Sequence, residues 1–227
     1  MQSHEPQPLI ALINATPAAI GPATAAFAEH FPEAQLWNLL DDRLQEDAEP
    51  AGVTSALADR MRRLINHAVT EGAQGILLTC SLYGAVAQDF APNASVPVLA
   101  PDEVAFARLI EQAPERVLVL ANADGPLQDT VARFSQQAAT TNTTIDVHGV
   151  VAVGAAAAAR RGDLEALTAS LVSAVHSSGV TPTAILLGQY SLSPASKALE
   201  QQTGILVHTG PASAAASLRT SILGGQP

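Results

Sequence analysis

A chain of 227 residues has room for one large domain or two small ones. At 48% hydrophobic and 14% charged residues, it can bury a core and does not have the composition of a disordered polypeptide. A net charge of −10 argues against nucleic acid and anionic membrane surfaces as partners.

Residues 8–13, Pro-Leu-Ile-Ala-Leu-Ile, predict a short buried strand, closed by Asn14-Ala15-Thr16-Pro17 and followed by a helix from about Pro22 to Glu29. Gln35 to Leu40 predicts a second strand, and Asp47 to Gly52 a loop. Over Thr54 to Glu71 the apolar residues Leu57, Met61, Leu64, Ile65 and Ala68 recur at near-helical spacing. Gly75 to Leu78 reads as a buried strand that breaks into Thr79-Cys80-Ser81 and then a helix. Val96 to Ala100 is a fourth strand, after which Pro101-Asp102-Glu103 opens a helix with acids in its first turn, as the helix dipole favours. The pattern then restarts. Arg116 to Leu120 predicts a strand, Gly125 to Ala139 a helix, and Thr144 to Val151 a strand. Residues 155–159 and Leu164 to His176 read as helical, and Ala184 to Leu187 as a strand before Gly188-Gln189-Tyr190-Ser191.

The restart is an internal echo. Leu-Ala-Asn-Ala-Asp at 120–124 repeats Leu-Ile-Asn-Ala-Thr at 12–16, with Asn14 and Asn122 108 residues apart. The segment from Ala184 echoes the cysteine strand at an offset of 109, and Gly204 to Pro211 echoes Val96 to Pro101 at about the same spacing. Three echoes at one spacing indicate a duplicated set of β-α units. Alternating strands and helices imply parallel sheets with right-handed crossovers. Ligands of such sheets bind beyond the C-terminal strand ends, here the loops Asn14–Pro17, Thr79–Ser81, Asn122–Gly125 and Gln189–Ser191. The expected fold is α/β: two pseudo-symmetric lobes, each a parallel four-stranded sheet flanked by helices, with the active site in the cleft between them.

Cys80 is the chain's one cysteine. A single cysteine excludes an internal disulfide framework and suits a reducing cytoplasm, the expected location, since Met1 to Pro8 shows no signal peptide and no apolar run reaches the roughly 18 residues of a membrane span. Most lone cysteines are small buried hydrophobes. At a strand-to-helix turn, however, backbone N–H groups and the helix dipole favour a thiolate and a bound carboxylate.

Taken together, the opening strand with Asn14 and Pro17, Leu-Leu-Thr-Cys-Ser at 77–81, Val-Pro-Val-Leu-Ala-Pro-Asp at 96–102 and Leu-Leu-Gly-Gln-Tyr-Ser at 186–191 resemble the aspartate/glutamate/hydantoin racemase superfamily over essentially the whole chain. The resemblance implies two lobes enclosing a small carboxylate substrate, no cofactor and no metal, and a homodimer. It also implies a C-terminal helix that returns to the first lobe, giving lobes of 1–105 plus 212–227 and 106–211. That family uses one cysteine per lobe, a thiolate that removes a proton and a thiol that returns one. This chain keeps the first as Cys80 and has Gln189 in place of the second. An amide neither gives nor takes a proton at neutral pH, so two-thiol racemisation is not available.

One thiol leaves three chemistries. Cys80 protonates one face of an enediolate, as in the related arylmalonate decarboxylases, which keep the other cysteine. Alternatively its thiolate adds to a double bond or carbonyl, as in the family's maleate isomerases, which also normally hold a second cysteine. Or it works with a different acid, for which Tyr190 and His208 are candidates; an unperturbed tyrosine pKa near 10 suits an acid better than a base. Substrate binding is expected from Asn14, Thr16, Thr79, Ser81, Asn122, Gln189 and Ser191, through hydroxyls, amides and backbone N–H groups, because no Lys or Arg lies in the four loops. Strand-ending turn residues are the plain alternative for Asn14 and Asn122. The leading expectation is a cofactor-independent isomerase or racemase acting on a small carboxylate or related carbon acid. The rivals are a decarboxylase and a carboxylate-binding protein without chemistry. Lys197, the one lysine and so the one candidate for a pyridoxal phosphate Schiff base, reads as a solvated surface residue. Histidines at 4, 30, 67, 148, 176 and 208 lack ligand spacing, so no metal is expected.

Overall fold

In the computed structural model, which describes residues 7–48, 51–141 and 143–224, the chain divides into two compact units. One comprises Met1–Pro101 with Ala214–Pro227, the other Asp102–Ser213.

The first unit holds strands β1 (Leu9–Asn14), β2 (Gln35–Leu40), β3 (Gly75–Leu78) and β4 (Val98–Leu99), all parallel, in the order β2-β1-β3-β4. Its helices are α1 (Ile20–His30), α2 (Arg43–Ala48), α3 (Ser55–Thr70) and α4 (Gly84–Phe90). The second unit repeats the plan with β5 (Arg116–Ala121), β6 (Asp146–Val151), β7 (Ala184–Leu187) and β8 (Val207–Thr209), parallel and ordered β6-β5-β7-β8. It carries α5 (Glu103–Gln112), α6 (Asp124–Thr140), α7 (Ala155–Arg161), α8 (Leu164–Ser177) and α9 (Ser196–Thr203). Helix α10 (Gly210–Leu223) ends the described chain. Identical strand orders are the structural counterpart of the sequence echo.

The strands' apolar runs are explained by burial on both faces. In the second unit Leu118, Leu120, Ile185 and Leu187 face Leu167, Leu171 and Val175 of α8. The alternate residues Val117, Val119, Ala184 and Leu186 face Phe106 and Leu109 of α5 and Phe134 of α6. In the first unit Ala11, Ile13, Ile76 and Leu78 pack with Leu57, Met61, Ile65 and Ala68 of α3. The opposite face receives α10. A Cβ on Gly75 would stand 3.0 Å from the Ile222 side chain and 3.2 Å from that of Leu218, so a glycine opens this strand to let the helix approach.

Several boundaries differ from those expected. Residues 43–48 form α2 where a loop was read from Asp47; Glu49 and Pro50 of that reading lie outside the described residues. Strand β4 is two residues long because Pro97 has no N–H for the ladder, although its carbonyl accepts Ile76 N–H at 2.9 Å. A 3-10 turn, Pro17–Ala19, precedes α1, which begins at Ile20 and accommodates Pro22 in its first turn.

Candidate active site

Hydrogen bonds between strand ends build the Cys80 turn. Asn14, the last residue of β1, is fully buried. Its Nδ2 donates to the Leu12 carbonyl at 3.0 Å and to Asn38 Oδ1 at 3.1 Å, and its Oδ1 accepts the Thr79 hydroxyl at 2.8 Å. The Thr79 N–H donates to the Ile13 carbonyl at 3.1 Å. Both ends of the Asn14 amide are engaged inside the unit, so in this conformation it positions Thr79. Cys80 follows in extended conformation, half-buried. The chain then enters a 3-10 turn, Ser81–Tyr83, before the seven-residue α4. A full helix was expected to start there. The observed turn supplies local N–H groups with little macrodipole.

Tyr83, which closes the same turn, was not singled out in the sequence. It is fully buried, and its hydroxyl donates to the Leu44 carbonyl at 2.7 Å. Burial, and secondarily the neighbouring Cys80, push its phenol above the usual tyrosine range, against the opposing charge of Arg60. Arg60 forks onto Asp41 (Nε–Oδ2 2.6 Å, Nη2–Oδ1 2.7 Å) and reaches Asp47 at 3.0 Å. Asp41 N–H in turn donates to the Asn14 carbonyl at 3.0 Å. The segment 41–47 is thereby stapled beside the cysteine turn. No local signal marks these pairs, because their members lie 13 and 19 residues apart.

Thr16 is half-buried and accepts the Ala18 N–H at 3.4 Å. With Ala15, Pro17, Asp42, Arg43, Gln45 and Glu46 it lines a cavity of about 430 Å³ that does not include Cys80. Arg43, which lies outside the four strand-end loops, brings a cation to this cavity, though Asp47 holds it at 3.1 Å.

In the second unit the corresponding turn follows β7. Gln189 Oε1 accepts the Asn122 N–H at 2.9 Å, and Asn122 Nδ2 lies 3.5 Å from Ser191 Oγ. Asn122, Gln189 and Ser191 thus come together. Tyr190 is 5% exposed, and burial, then the charge of Asp102, raises its pKa well above the ordinary tyrosine value, which makes it a weaker proton donor than a free phenol.

Asp102, expected as a dipole-favoured acid in the first turn of α5, stands at its N-cap position instead. It is 4% exposed, makes no side-chain cap bond to α5, and pairs with Arg133 Nη2 at 2.8 Å. Arg133 also binds Asp129 at 2.8 Å and lies over the Phe106 ring, 5.3 Å from its centroid. Desolvation outweighs the arginine, so Asp102's pKa is raised. His208 is buried on β8, with its pKa lowered by burial and then by Arg108, which favours the neutral ring. Lys197 is exposed on α9. Among the described residues no group of three or more His, Cys, Asp or Glu is arranged to hold a metal, and no helix is long and apolar enough to cross a membrane.

No protein-family model matches the chain, and no curated protein matches it in sequence. Solved structures do. A glutamate racemase isoform from Bacillus anthracis is similar at TM-score 0.72 and 13% identity, over 97% of this chain and 83% of that one. The chain shares the fold of that racemase. Allantoin racemase from Klebsiella pneumoniae is similar at TM-score 0.67 and 17% identity, over 96% of this chain and 89% of that one. Unliganded arylmalonate decarboxylase is similar at TM-score 0.67 and 18% identity, over 97% and 94%. At such identities the likeness establishes the fold and not the reaction.

Proposed function

We propose that this chain is a cofactor-independent enzyme that acts on a small carboxylate or related carbon acid through Cys80, with isomerisation or epimerisation as its reaction. The observation that carries this reading is the placement of the one cysteine at the C-terminal end of β3, on a turn buttressed by the Asn14–Thr79 bond in a fold shared with racemases. As thiolate, Cys80 takes the proton from the carbon next to the carboxylate. The electron pair moves into the carboxylate as an enediolate and Cys80 is left as the thiol; a proton returned to carbon from the opposite face by a second acid gives inversion, and exchange with solvent resets both groups. Hydroxyls of Thr16 and Ser81, with turn N–H groups, offset the developing negative charge.

Inversion needs a second proton donor. Gln189 does not qualify. Tyr190, its neighbour in sequence, has a raised pKa that leaves it an acid and not a base at neutral pH. Gln189 favours a second reading, decarboxylation. There the bond to one carboxylate breaks, CO₂ leaves, and the Cys80 thiol protonates the enediolate from one face only, solvent then restoring its proton.

The test is deuterium incorporation. Protein and small carboxylates, including amino acids, hydroxy acids, hydantoins and substituted malonates, are incubated in D₂O and the α-carbon is followed by NMR, with Cys80→Ala alongside. Exchange that disappears in Cys80→Ala supports the reading, and inversion or retention distinguishes its two versions. Exchange undiminished in Cys80→Ala sinks it. Binding without turnover, unaltered in the variant, makes the chain a carboxylate-binding module.

A further inference from the structure

The Gln189 amide is held at one end only. Its Oε1 accepts the Asn122 N–H at 2.9 Å, whereas its Nε2 is shielded from water and has no hydrogen-bond partner among the described residues. Turning the amide over would set Nε2 against the Asn122 N–H, donor against donor, so the backbone just beyond β5 fixes its orientation. A sheltered donor is costly to leave unmade, and an orphaned one in a native fold calls for a partner. The nearby side-chain groups, Asn122 Nδ2 and Ser191 Oγ, are instead directed at each other, 3.5 Å apart. The residue as a whole is half-buried, at the C-terminal end of β7, where parallel sheets of this kind receive ligands.

We infer that Gln189 is a specificity residue whose Nε2 donates to an oxygen acceptor of the ligand, a carboxylate or carbonyl oxygen, and that the site therefore rejects an ammonium group at that point. The inference rests on the reading of this site as one for a small carboxylate. An amide nitrogen facing an ammonium sets donor against donor, whereas a carboxylate oxygen completes a charge-assisted bond. Seating that oxygen requires the atoms now covering Nε2 to move, so binding and a local rearrangement are coupled.

Two isosteric variants isolate the donor. Gln189→Glu keeps an acceptor for the Asn122 N–H and replaces the donor by a second, charged acceptor. Gln189→Met keeps the size and loses both. In ¹⁵N-labelled protein the Gln189 side-chain amide peak is identified by its absence in Gln189→Glu. Malonate, succinate and lactate are titrated separately, with β-alanine as the counterpart of succinate that carries an ammonium in place of one carboxylate. The expected result is a shift of the Gln189 peak with at least one carboxylate. That ligand binds Gln189→Glu and Gln189→Met about tenfold or more weakly, while β-alanine gains relative to succinate in Gln189→Glu. That reversal of preference is one a merely structural role would not produce. A Gln189 peak unmoved at the highest soluble concentration of every carboxylate overturns the inference, as does equal binding by wild type and Gln189→Met. Cys80-dependent exchange with an unmoved Gln189 peak leaves the proposed enzyme standing and removes this inference. A shifted peak without exchange of any carbon acid does the opposite.

Discussion

The Thr79 hydroxyl donates to Asn14 Oδ1 at 2.8 Å, tying the end of β3 to the end of β1 one residue before Cys80. Both partners are buried, so the bond cannot be exchanged for water when one of them is lost. Thr79→Val preserves shape but leaves the Asn14 oxygen without this donor. The expected cost is about 1–3 kcal/mol, read from urea unfolding, with a changed rate of Cys80 alkylation by iodoacetamide in the folded protein. Thr79→Ser restores both. An unfolding midpoint and alkylation rate unaltered in Thr79→Val would show that the bond does not set the cysteine turn.

Asp102 and Arg133 predict a pH-dependent defect. Asp102's folded pKa is raised, with burial as the larger cause and Arg133 opposing it. Below that raised pKa the folded protein holds a neutral carboxyl; above it, a buried charge relies on Arg133 for compensation. Arg133→Gln should therefore cost about 3–5 kcal/mol at neutral pH, the usual result of breaking a buried pair. The cost should shrink as pH falls and Asp102 takes up a proton, because the folded state binds that proton more readily than the unfolded state. Unfolding of both proteins across pH decides it. A defect of constant size would place the role of Arg133 in its packing over Phe106.

Asp102 also marks where sequence reading stopped. The strands were legible because their apolar runs end at polar residues, as at Asn14 and Thr79, and because the second unit repeats the first. The cysteine turn was legible for the same reason. The burial of Asp102 was not, since its partner lies 31 residues away on another helix and first-turn acids are ordinarily solvated. Tyr83 follows Ser81-Leu82 with nothing local to show that its hydroxyl reaches Leu44, 39 residues earlier. Helix α2, Arg-Leu-Gln-Glu-Asp-Ala, has too few apolar positions to display a period, and buries only Leu44 and Ala48. Long-range partners decide these residues, and hydrophobic periodicity does not encode them.

Arg219 on α10 donates to Glu33, with Nε 3.0 Å from Oε2. That bond, and then a backbone hydrogen bond, lower the Glu33 pKa from 4.5 to about 2. The sign follows from the lowering. The contribution is present above the ordinary glutamate value and is lost as pH falls through about 2. Wild type and Arg219→Gln should differ in Tm near neutrality and converge toward that acid limit. Both groups are exposed, so the difference should be small and fade with added salt. A gap that survives at the acid end would mean that Arg219 acts through packing.

Gly188, which precedes Gln189, has no room for a side chain. A Cβ there would lie 3.1 Å from Thr130 Oγ1 and 3.4 Å from the Leu120 carbonyl. Its own N–H donates to that carbonyl at 2.9 Å, so the backbone on one side is fixed and Thr130, buried on α6, is the group that can give way. Gly188→Ala should therefore destabilise by about 1–3 kcal/mol through overpacking and displace the Gln189 turn. Thr130→Ala should recover much of that loss, so that the two changes together cost less than the sum of each alone. Urea unfolding of the four proteins in the cycle measures the coupling. Strict additivity would show that the strain falls on the Leu120 carbonyl, and that the backbone of β5, rather than α6, limits the residue before Gln189.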